Sequence, residues 1–523
     1  MADIVIINPR FEPSYWGMDH ALPFIGKAAN LPVACLPLLA ALTPREHSVT
    51  LMDENVEPID WERCARADIV GVTGLSVQRS RMKEILTKLK QRERFTVVGG
   101  AWVTVEEDYF EGLADVVFIG EAEETWPHFL REWSEGLHQY RYEQAHKSDM
   151  TKVPTPRFDL LKMNRYAFGS LQFSRGCPFQ CEFCDIIVTF GRRPRIKTSA
   201  QVIAELEAIR KTGLRTVFIV DDNLIGNKKA IKVVLRDVIA WQKRKGYPLT
   251  LFTEASIDLA DDPELLDLMV EANFIAIFIG IESPSEEALR ETKKYQNVRQ
   301  GGTLLEKVHR IQDAGMVVWC GMIMGFDSDD SGIFDRQIEF IQNSRISLSM
   351  SGMLYAIPKT PLYERLAAEG RLDLSDKSEF GTNVIPLQMS REELLDGYIR
   401  VLNELYDAQA YFARTDALFL RPDFEIGIIN KRPWWRISLR WLWSEAQCVV
   451  ESLGLFSRLI TKIPETDLRR EYYKRLWRFL KVHRRPGSVL FYITHMVMHY
   501  HAWKMANQMS MQEAQLVNFA GNQ

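Results

Sequence analysis

Two successive series of alternating strand and helix signals constrain this chain more than any other feature. In the first series, short β-branched runs end at polar residues or glycine: "DIVIINP" (3–9), "VTLMDEN" (49–55), "ADIVGVTGLS" (67–76), "FTVVGGAWV" (95–103) and "ADVVFIGEAEE" (114–124). Helical stretches such as 77–91 separate them. This βαβ rhythm predicts an α/β fold with a doubly wound parallel sheet over residues 1–145. Ligands of such sheets sit beyond the carboxyl ends of the strands, where Gly74, Gly99, Gly100 and Gly120 fall. Glycine there either admits a ligand to the backbone or only forms a tight turn.

The second series begins near residue 168, after a polar, proline-bearing stretch (148–161) that reads as the core of a linker over 146–165. Its strand signals are 169–176, 216–223, 249–256, 276–283, 317–326 and 348–358. Six repeats predict a partial parallel (β/α)6 barrel over 166–370, with its site at the carboxyl ends of the strands. Asp221, Asp222 and Asn223, then Glu254 and Ser256, then Glu282 and Ser283 cluster at three successive ends. Such residues build a site or cap the next helix. Residues 371–523 read as a mostly helical domain. Within it, 431–486 is rich in Arg, Lys and Trp, a pattern that suits either a membrane interface or a solvated helix face.

A chain of 523 residues is too long for one core. A net charge of −4 argues against nucleic-acid binding by the chain as a whole. The N-terminus lacks the basic and apolar regions of a signal peptide, and no stretch reaches the ~18–20 apolar residues of a membrane span. The expected location is the cytoplasm, with room for peripheral membrane association.

Seven cysteines are too few for a disulfide framework, yet three lie in "SRGCPFQCEFCDI" (174–186). Cys177, Cys181 and Cys184 form C-x3-C-x2-C. A structural zinc site closes with four ligands. Thiolates also hold [4Fe–4S] clusters, and three protein ligands leave one iron open. Cys320, Cys35, Cys64 and Cys448 read as small buried hydrophobes. The basic run "GRRPRIKT" (191–198) holds an anion or is a solvated loop pairing with acidic neighbours.

The triplet directly after the first strand of a six-fold βα series resembles the signature of radical S-adenosylmethionine (SAM) enzymes. The resemblance implies Cys177, Cys181 and Cys184 as ligands of a [4Fe–4S] cluster whose open iron chelates SAM. It places Phe183 near the adenine, and Glu254, Glu282, Ser283, Gly321 and Gly325 around SAM; the two glycines otherwise serve close strand packing. The segments "VDDNLIGNKK", "FTEAS", "FIGIESP" and "GFDSDD" resemble the subgroup with an N-terminal cobalamin (B12)-binding domain, the class B radical SAM methyltransferases that include the hopanoid C-2 methylase. "TGLS", "VVGG" and "IGEAEET" resemble its strand-end loops and imply cobalamin contacts from Gly74, Ser76, Gly99, Gly100, Gly120 and Glu121. The D-x-H-x-x-G motif is absent: Asp19 and His20 are adjacent and followed by "ALPFIG", so the motif supplies no histidine to cobalt.

The resemblance implies methyl transfer to an unactivated carbon of a small-molecule substrate, through a 5′-deoxyadenosyl radical and methylcobalamin; the Trp-rich basic C-terminal region points to a lipid-like one. It also implies an external electron donor such as flavodoxin or ferredoxin. Oxidation or cyclisation with the same cofactors is the alternative. A zinc-binding or cobalamin-sensing protein without catalysis is the remoter one.

Overall fold

In the computed structural model, which describes residues 1–144, 146–299, 301–375, 380–424, 426 and 439–511, the first series forms a six-stranded parallel sheet. Its strands are β1 (Asp3–Asn8), β2 (Ser48–Asp53), β3 (Ile69–Thr73), β4 (Thr96–Gly99), β5 (Val116–Ile119) and β6 (Arg141–Glu143), in the order β2-β1-β3-β4-β5-β6. The chain reverses direction of winding between β1 and β3, the point where such sheets take ligands. Alternation fixes the layers. Ile4 and Ile6 of β1 enter one apolar cluster; Val5 and Ile7 enter the other. All four are fully buried, each contributing about 1.5–3 kcal/mol. The strand β6, absent from the sequence reading, extends the sheet at its edge.

The second series forms another parallel sheet from β7 (Gly169–Leu171), β10 (Thr216–Ile219), β11 (Thr250–Glu254), β12 (Phe274–Glu282), β13 (Val317–Met324) and β14 (Leu348–Met353). The order is β14-β13-β12-β11-β10-β7, each strand beside its predecessor. Between β7 and β10 a two-residue antiparallel pair, β8 (Ser174–Arg175) and β9 (Arg195–Ile196), closes the base of the cysteine loop. Ile277, Ile279 and Ile281 of β12 are fully buried. Phe278 lies on the opposite, inward face of that strand, and an irregularity between Gly280 and Glu282 brings the Glu282 carboxylate to the same side, where a Cβ on Gly280 would meet it.

Residues 146–165, read as a linker, run as three short 3-10 turns anchored by buried Met150, Val153, Phe158 and Met163. The C-terminal region contains the helices Arg391–Tyr406, Ala408–Phe419, Leu439–Lys462, Thr466–Val482 and Pro486–Ser510. The Arg391–Tyr406 helix packs on β14, and the Pro486–Ser510 helix packs on it in turn. Residues 431–438 of the Trp-rich basic stretch lie outside the described residues. Among the described residues no helix is long and apolar enough to cross a membrane.

Candidate functional site

The cysteine loop leaves β8 and returns at β9, and its entrance is fastened by the two carboxylates that follow β10. Asp221 accepts hydrogen bonds from the Phe173 N–H (2.7 Å), the Ser174 N–H (2.8 Å) and the Ser174 hydroxyl (2.6 Å). Asp222 accepts from the Gly176 N–H at 3.2 Å. Gly176 sits at φ +94°, and an added Cβ would stand 2.8 Å from the Gly191 carbonyl oxygen, so the loop's two limbs cross where only glycine fits. Farther along, the buried Glu182 accepts from Arg365 Nε at 2.6 Å. Asp221 and Asp222 thus hold the loop rather than cap the following helix.

The three thiols lie within this frame. Burial pushes the Cys177 and Cys184 thiols up, so they are protonated at neutral pH and ionise only when a metal takes them. Amide donors already point at sulfur: Asn223 Nδ2 lies 3.8 Å from Cys177 Sγ, and Gln296 Nε2 lies 3.4 Å from Cys181 Sγ. Among the described residues no three His, Cys, Asp or Glu side chains converge on one ion. Three thiols with amide donors and no fourth protein ligand fit a cluster with an open iron.

Around the mouth the predicted SAM residues separate into two kinds. Glu254 lies at the end of β11, where burial, then Asp222, Asp221 and Glu282, push its carboxyl up to about 8. Burial and then Asp222 push Asp185 up to about 7, whereas burial alone raises Asp222, to about 6, against the Gly176 N–H, Arg175 and Arg195, which hold it down. Glu254 and Asp185 have no cation acting on them and are largely protonated near neutral pH, and a ligand with an ammonium and a sulfonium would favour their ionised form. Glu282 differs, since its Oε1 accepts from Lys294 Nζ at 2.7 Å. Burial pulls the Lys294 ammonium down, but Glu282 and Cys181 outweigh it and hold it above its usual range. Glu282 has φ +64°, the strained kind of backbone that concentrates at functional sites.

Gly321 faces the same interior: an added Cβ would stand 3.3 Å from Phe278 Cζ and 3.7 Å from Glu282 Oε2. Phe183 packs 6.0 Å from Phe326. Ser283 is buried, and its hydroxyl accepts from the Ser285 N–H. Gly325 is at φ +97° with its N–H bonded to Asp329 Oδ2 at 3.0 Å; an added Cβ would meet Leu394 at 2.9 Å. The glycine therefore admits the Arg391–Tyr406 helix. Cys320 is buried on β13, 3.5 Å from the Ser349 hydroxyl, as a small hydrophobe would be.

At the edge of the first sheet, Gly74 and Gly100 touch, and an added Cβ on Gly100 would stand 2.5 Å from the Gly74 carbonyl oxygen. A Cβ on Gly99 would stand 3.2 Å from Phe118 Cβ. Ser76 is buried in a short turn after β3. Gly120, at φ +79°, has open space where a Cβ would stand. The buried Trp102 Nε1 has no acceptor among the described residues. An open cradle and an orphaned donor at one edge fit a broad, amide-fringed macrocycle.

Glu121 serves another purpose. Its carboxylate binds Arg195 Nη1 at 3.0 Å and also Arg195 Nη2, and it accepts from the Ser148 N–H at 2.6 Å. Arg175 lies 3.6 Å away and pairs with Glu123 at 2.6 Å. Burial pushes the Glu121 carboxyl up, but Arg195, Arg175 and Ser148 hold it below its ordinary range. Arg175 and Arg195 are β8 and β9, the two limbs of the cysteine loop, so this cluster latches the loop to the first sheet. Lys359 Nζ, beyond β14, donates to the Thr104 carbonyl at 2.8 Å and ties the same two edges together, and Tyr166 Oη, ahead of β7, donates to Asp53 at 2.7 Å. The basic run 191–198 is thus partly interior: Arg195 joins the latch and Lys197 pairs with buried Glu205.

His20 lies with the C-terminal helices. Its N–H donates to His501 Nδ1 at 3.2 Å and its Nε2 pairs with Gln508 at 2.9 Å. Nearby Trp16 reaches the barrel, 5.0 Å from Phe278.

The radical SAM superfamily model matches residues 171–335, the B12 binding domain model matches 31–130, and a domain of unknown function (DUF4070) matches 360–515. An uncharacterized methyltransferase of Synechocystis sp. is 39% identical over 423 residues, 80% of this chain and 78% of its own. The hopanoid C-2 methylase of Rhodopseudomonas palustris is 35% identical over 429 residues, 81% and 79% of the two chains. The fold is shared with the cobalamin-dependent SAM radical enzyme OxsB (TM-score 0.60, 14% identity, 99% of this chain and 83% of that one). It is also shared with the radical SAM methyltransferase TsrM from Kitasatospora setae (TM-score 0.58, 16% identity, 71% and 76%). A [4Fe–4S] cluster, SAM and cobalamin are the cofactors that go with this pair of domains. Through its cysteine triplet, its two facing sheets and these relatives, the chain belongs to the family of radical SAM enzymes with an N-terminal B12-binding domain.

Proposed function

We propose that this enzyme is a methyltransferase acting on an unactivated carbon of a small, lipid-like molecule. The observation that carries the reading is the direct latch between the cysteine loop and the edge of the B12-binding sheet, through Glu121, Arg195 and Arg175. It keeps the two cofactor sites on one rigid frame, as a reaction using both on one substrate requires.

The cofactors supply hydrogen abstraction and a transferable methyl group; the protein supplies binding, orientation and exclusion of water. Cys177, Cys181 and Cys184 hold the cluster, with Asn223 and Gln296 donating to sulfur. Glu254 and Asp185 take the cationic end of SAM, while Lys294 keeps Glu282 neutralised. Gly74, Ser76, Gly99, Gly100 and Gly120 line the cobalamin edge; Gly321, Phe183, Ser283 and Gly325 shape the SAM side.

The lipid-like substrate is supported by the barrel wall. Phe218 and Phe252 stack at 4.6 Å, and Trp319 meets Phe252 at 5.7 Å. They lie on the face of the sheet that carries Glu254 and Glu282, so an aromatic wall stands beneath an acidic mouth. The Trp319 Nε1 donor, without an acceptor among the described residues, is available to one polar group of such a molecule. An external electron donor and peripheral membrane contact belong to the same reading.

The test is to incubate the reduced, anaerobic enzyme with methyl-labelled SAM and a lipid extract, then take product masses. Label in an apolar product supports the proposal. An oxidised or cyclised product without label overturns methyl transfer, and absence of SAM cleavage overturns the enzyme reading altogether.

A further inference from the structure

The Leu439–Lys462 and Thr466–Val482 helices each have two apolar faces. The inner faces are used: Leu455, Leu459, Leu468, Tyr472, Leu476 and Phe479 are buried. The outer faces should be polar on a helix that packs one side only. Instead Trp443, Val450, Leu453, Tyr473 and Trp477 are 61–74% exposed. The two stripes adjoin, with Phe456 of one helix 6.2 Å from Tyr473 of the other.

Charge surrounds them. Residues 466–485 hold eight Lys and Arg against two Asp and Glu, in a chain whose net charge is −4. Exposed Arg470, Lys474, Arg478 and Lys481 interleave with Tyr473 and Trp477 along one helix side. We propose that this face docks the enzyme on an anionic lipid bilayer, with the aromatic and aliphatic side chains entering the headgroup region and the basic ones meeting lipid phosphates.

Other occupants fit less well. A symmetric contact with a second copy would oppose the same basic residues. Nucleic acid has no use for exposed Val450 and Leu453. The position also serves the substrate. The Leu439–Lys462 helix packs against the short Leu22–Ile25 helix, whose Phe24 lies 5.5 Å from Tyr500, and Trp16 just upstream reaches Phe278 inside the barrel. One apolar core joins the docking face to the barrel.

The docking draws its purpose from the lipid-like substrate reading, but its evidence is the surface, and its test needs no substrate. Purified holoenzyme is floated with phosphatidylglycerol–phosphatidylcholine vesicles and with phosphatidylcholine alone. The wild type should float with the anionic vesicles and be released by salt. Tyr473→Ser/Trp477→Ser and Lys474→Glu/Lys481→Glu should each cut partitioning by about tenfold or more, with unchanged melting temperatures because these side chains face solvent. No flotation at low salt, or equal flotation of both variants, overturns the proposal. So does a dimer, or a DNA complex, that both variants abolish while vesicles stay unbound. A labelled apolar product without flotation would remove the docking and leave the methyltransferase standing.

Discussion

The two carboxyl edges that face each other in this molecule are built from opposite materials. The barrel edge holds acids with no cation acting on them: Glu254 and Asp185 are pushed well above the ordinary carboxylate range by burial and by neighbouring carboxylates, while Asp222 beside them is raised by burial and opposed by Arg175 and Arg195. The edge of the first sheet has carboxylates too, but each is matched. Asp53 accepts from Asn8, Asn55 and Tyr166, and Glu121 is held by arginines. What remains open there is backbone, at Gly120, and a neutral donor, Trp102. The difference teaches how one chain keeps two cofactors apart. On the proposed assignment, the acidic mouth suits a cation and the glycine edge a large neutral-faced macrocycle. The two regions are tied by the Glu121 latch and by the Lys359–Thr104 and Tyr166–Asp53 hydrogen bonds.

The largest expected effect breaks one edge and spares the other. Cys184→Ala should lose nearly all iron and all SAM cleavage while cobalt content stays near wild type. Metal analysis of the two proteins checks this, and parallel loss of cobalt would mean the edges are not independent.

Breaking the latch should come next. Arg195→Gln leaves Glu121 buried with only Arg175 nearby, at a cost of about 3 kcal/mol. A fall in the denaturant midpoint with unchanged slope would measure it. A double variant with Glu121→Gln should recover part of the loss.

A crosswise pair sharpens the comparison further. Glu254→Gln should weaken SAM binding about tenfold, or ~1.4 kcal/mol, and leave cobalamin binding alone. Gly120→Ala should do the reverse, with backbone strain of about 1 kcal/mol at its positive φ. Calorimetric titration of each variant with both ligands decides.

The smallest effect is on pH dependence. Burial, foremost, raises Asp221 and Asp329 to about 7, and with neighbouring carboxylates raises Glu254 to about 8. Folded values above unfolded ones mean the fold gains stability as pH falls through the folded pKa. Between pH 8 and 7 the gain is about 1–2 kcal/mol. In the helical region burial lowers His495 to about 4 and His499 to about 3. Those groups act with the opposite sign, removing stability as pH drops below ~6.5. Melting temperatures should rise from pH 8 to 7, rise more slowly once the histidines oppose the acids below about 6.5, and fall only below about pH 4, where the unfolded carboxylates are protonated too. Bound SAM should flatten the first limb.

Much of this architecture was legible in the sequence because buried parallel strands are β-branched runs closed by glycine or acid. All five strands read in the first series and all six in the second are present. What escaped had no local signal. β6 is three residues, Arg-Tyr-Glu, with one side chain buried. β8 and β9 are two residues each, and their pairing is set by Asp221 from elsewhere. The cysteine triplet declared itself by spacing, whereas Gln296 and Lys294 reach the same site from over a hundred residues away. Arg195 and Lys197 looked solvated because their partners, Glu121 and Glu205, are contributed by other elements. The adjacent Asp19 and His20, unable to form a cobalt-binding motif, turn out to be tied to Ser14 and to the Pro486–Ser510 helix.

The central claim is that one chain holds an iron–sulfur cluster and cobalamin on two latched edges. Iron, cobalt and zinc analysis of anaerobically purified protein tests it most directly. The account predicts about four irons and about one cobalt per chain, with zinc at background. Zinc in place of iron, or iron with no affinity for cobalamin, would contradict it.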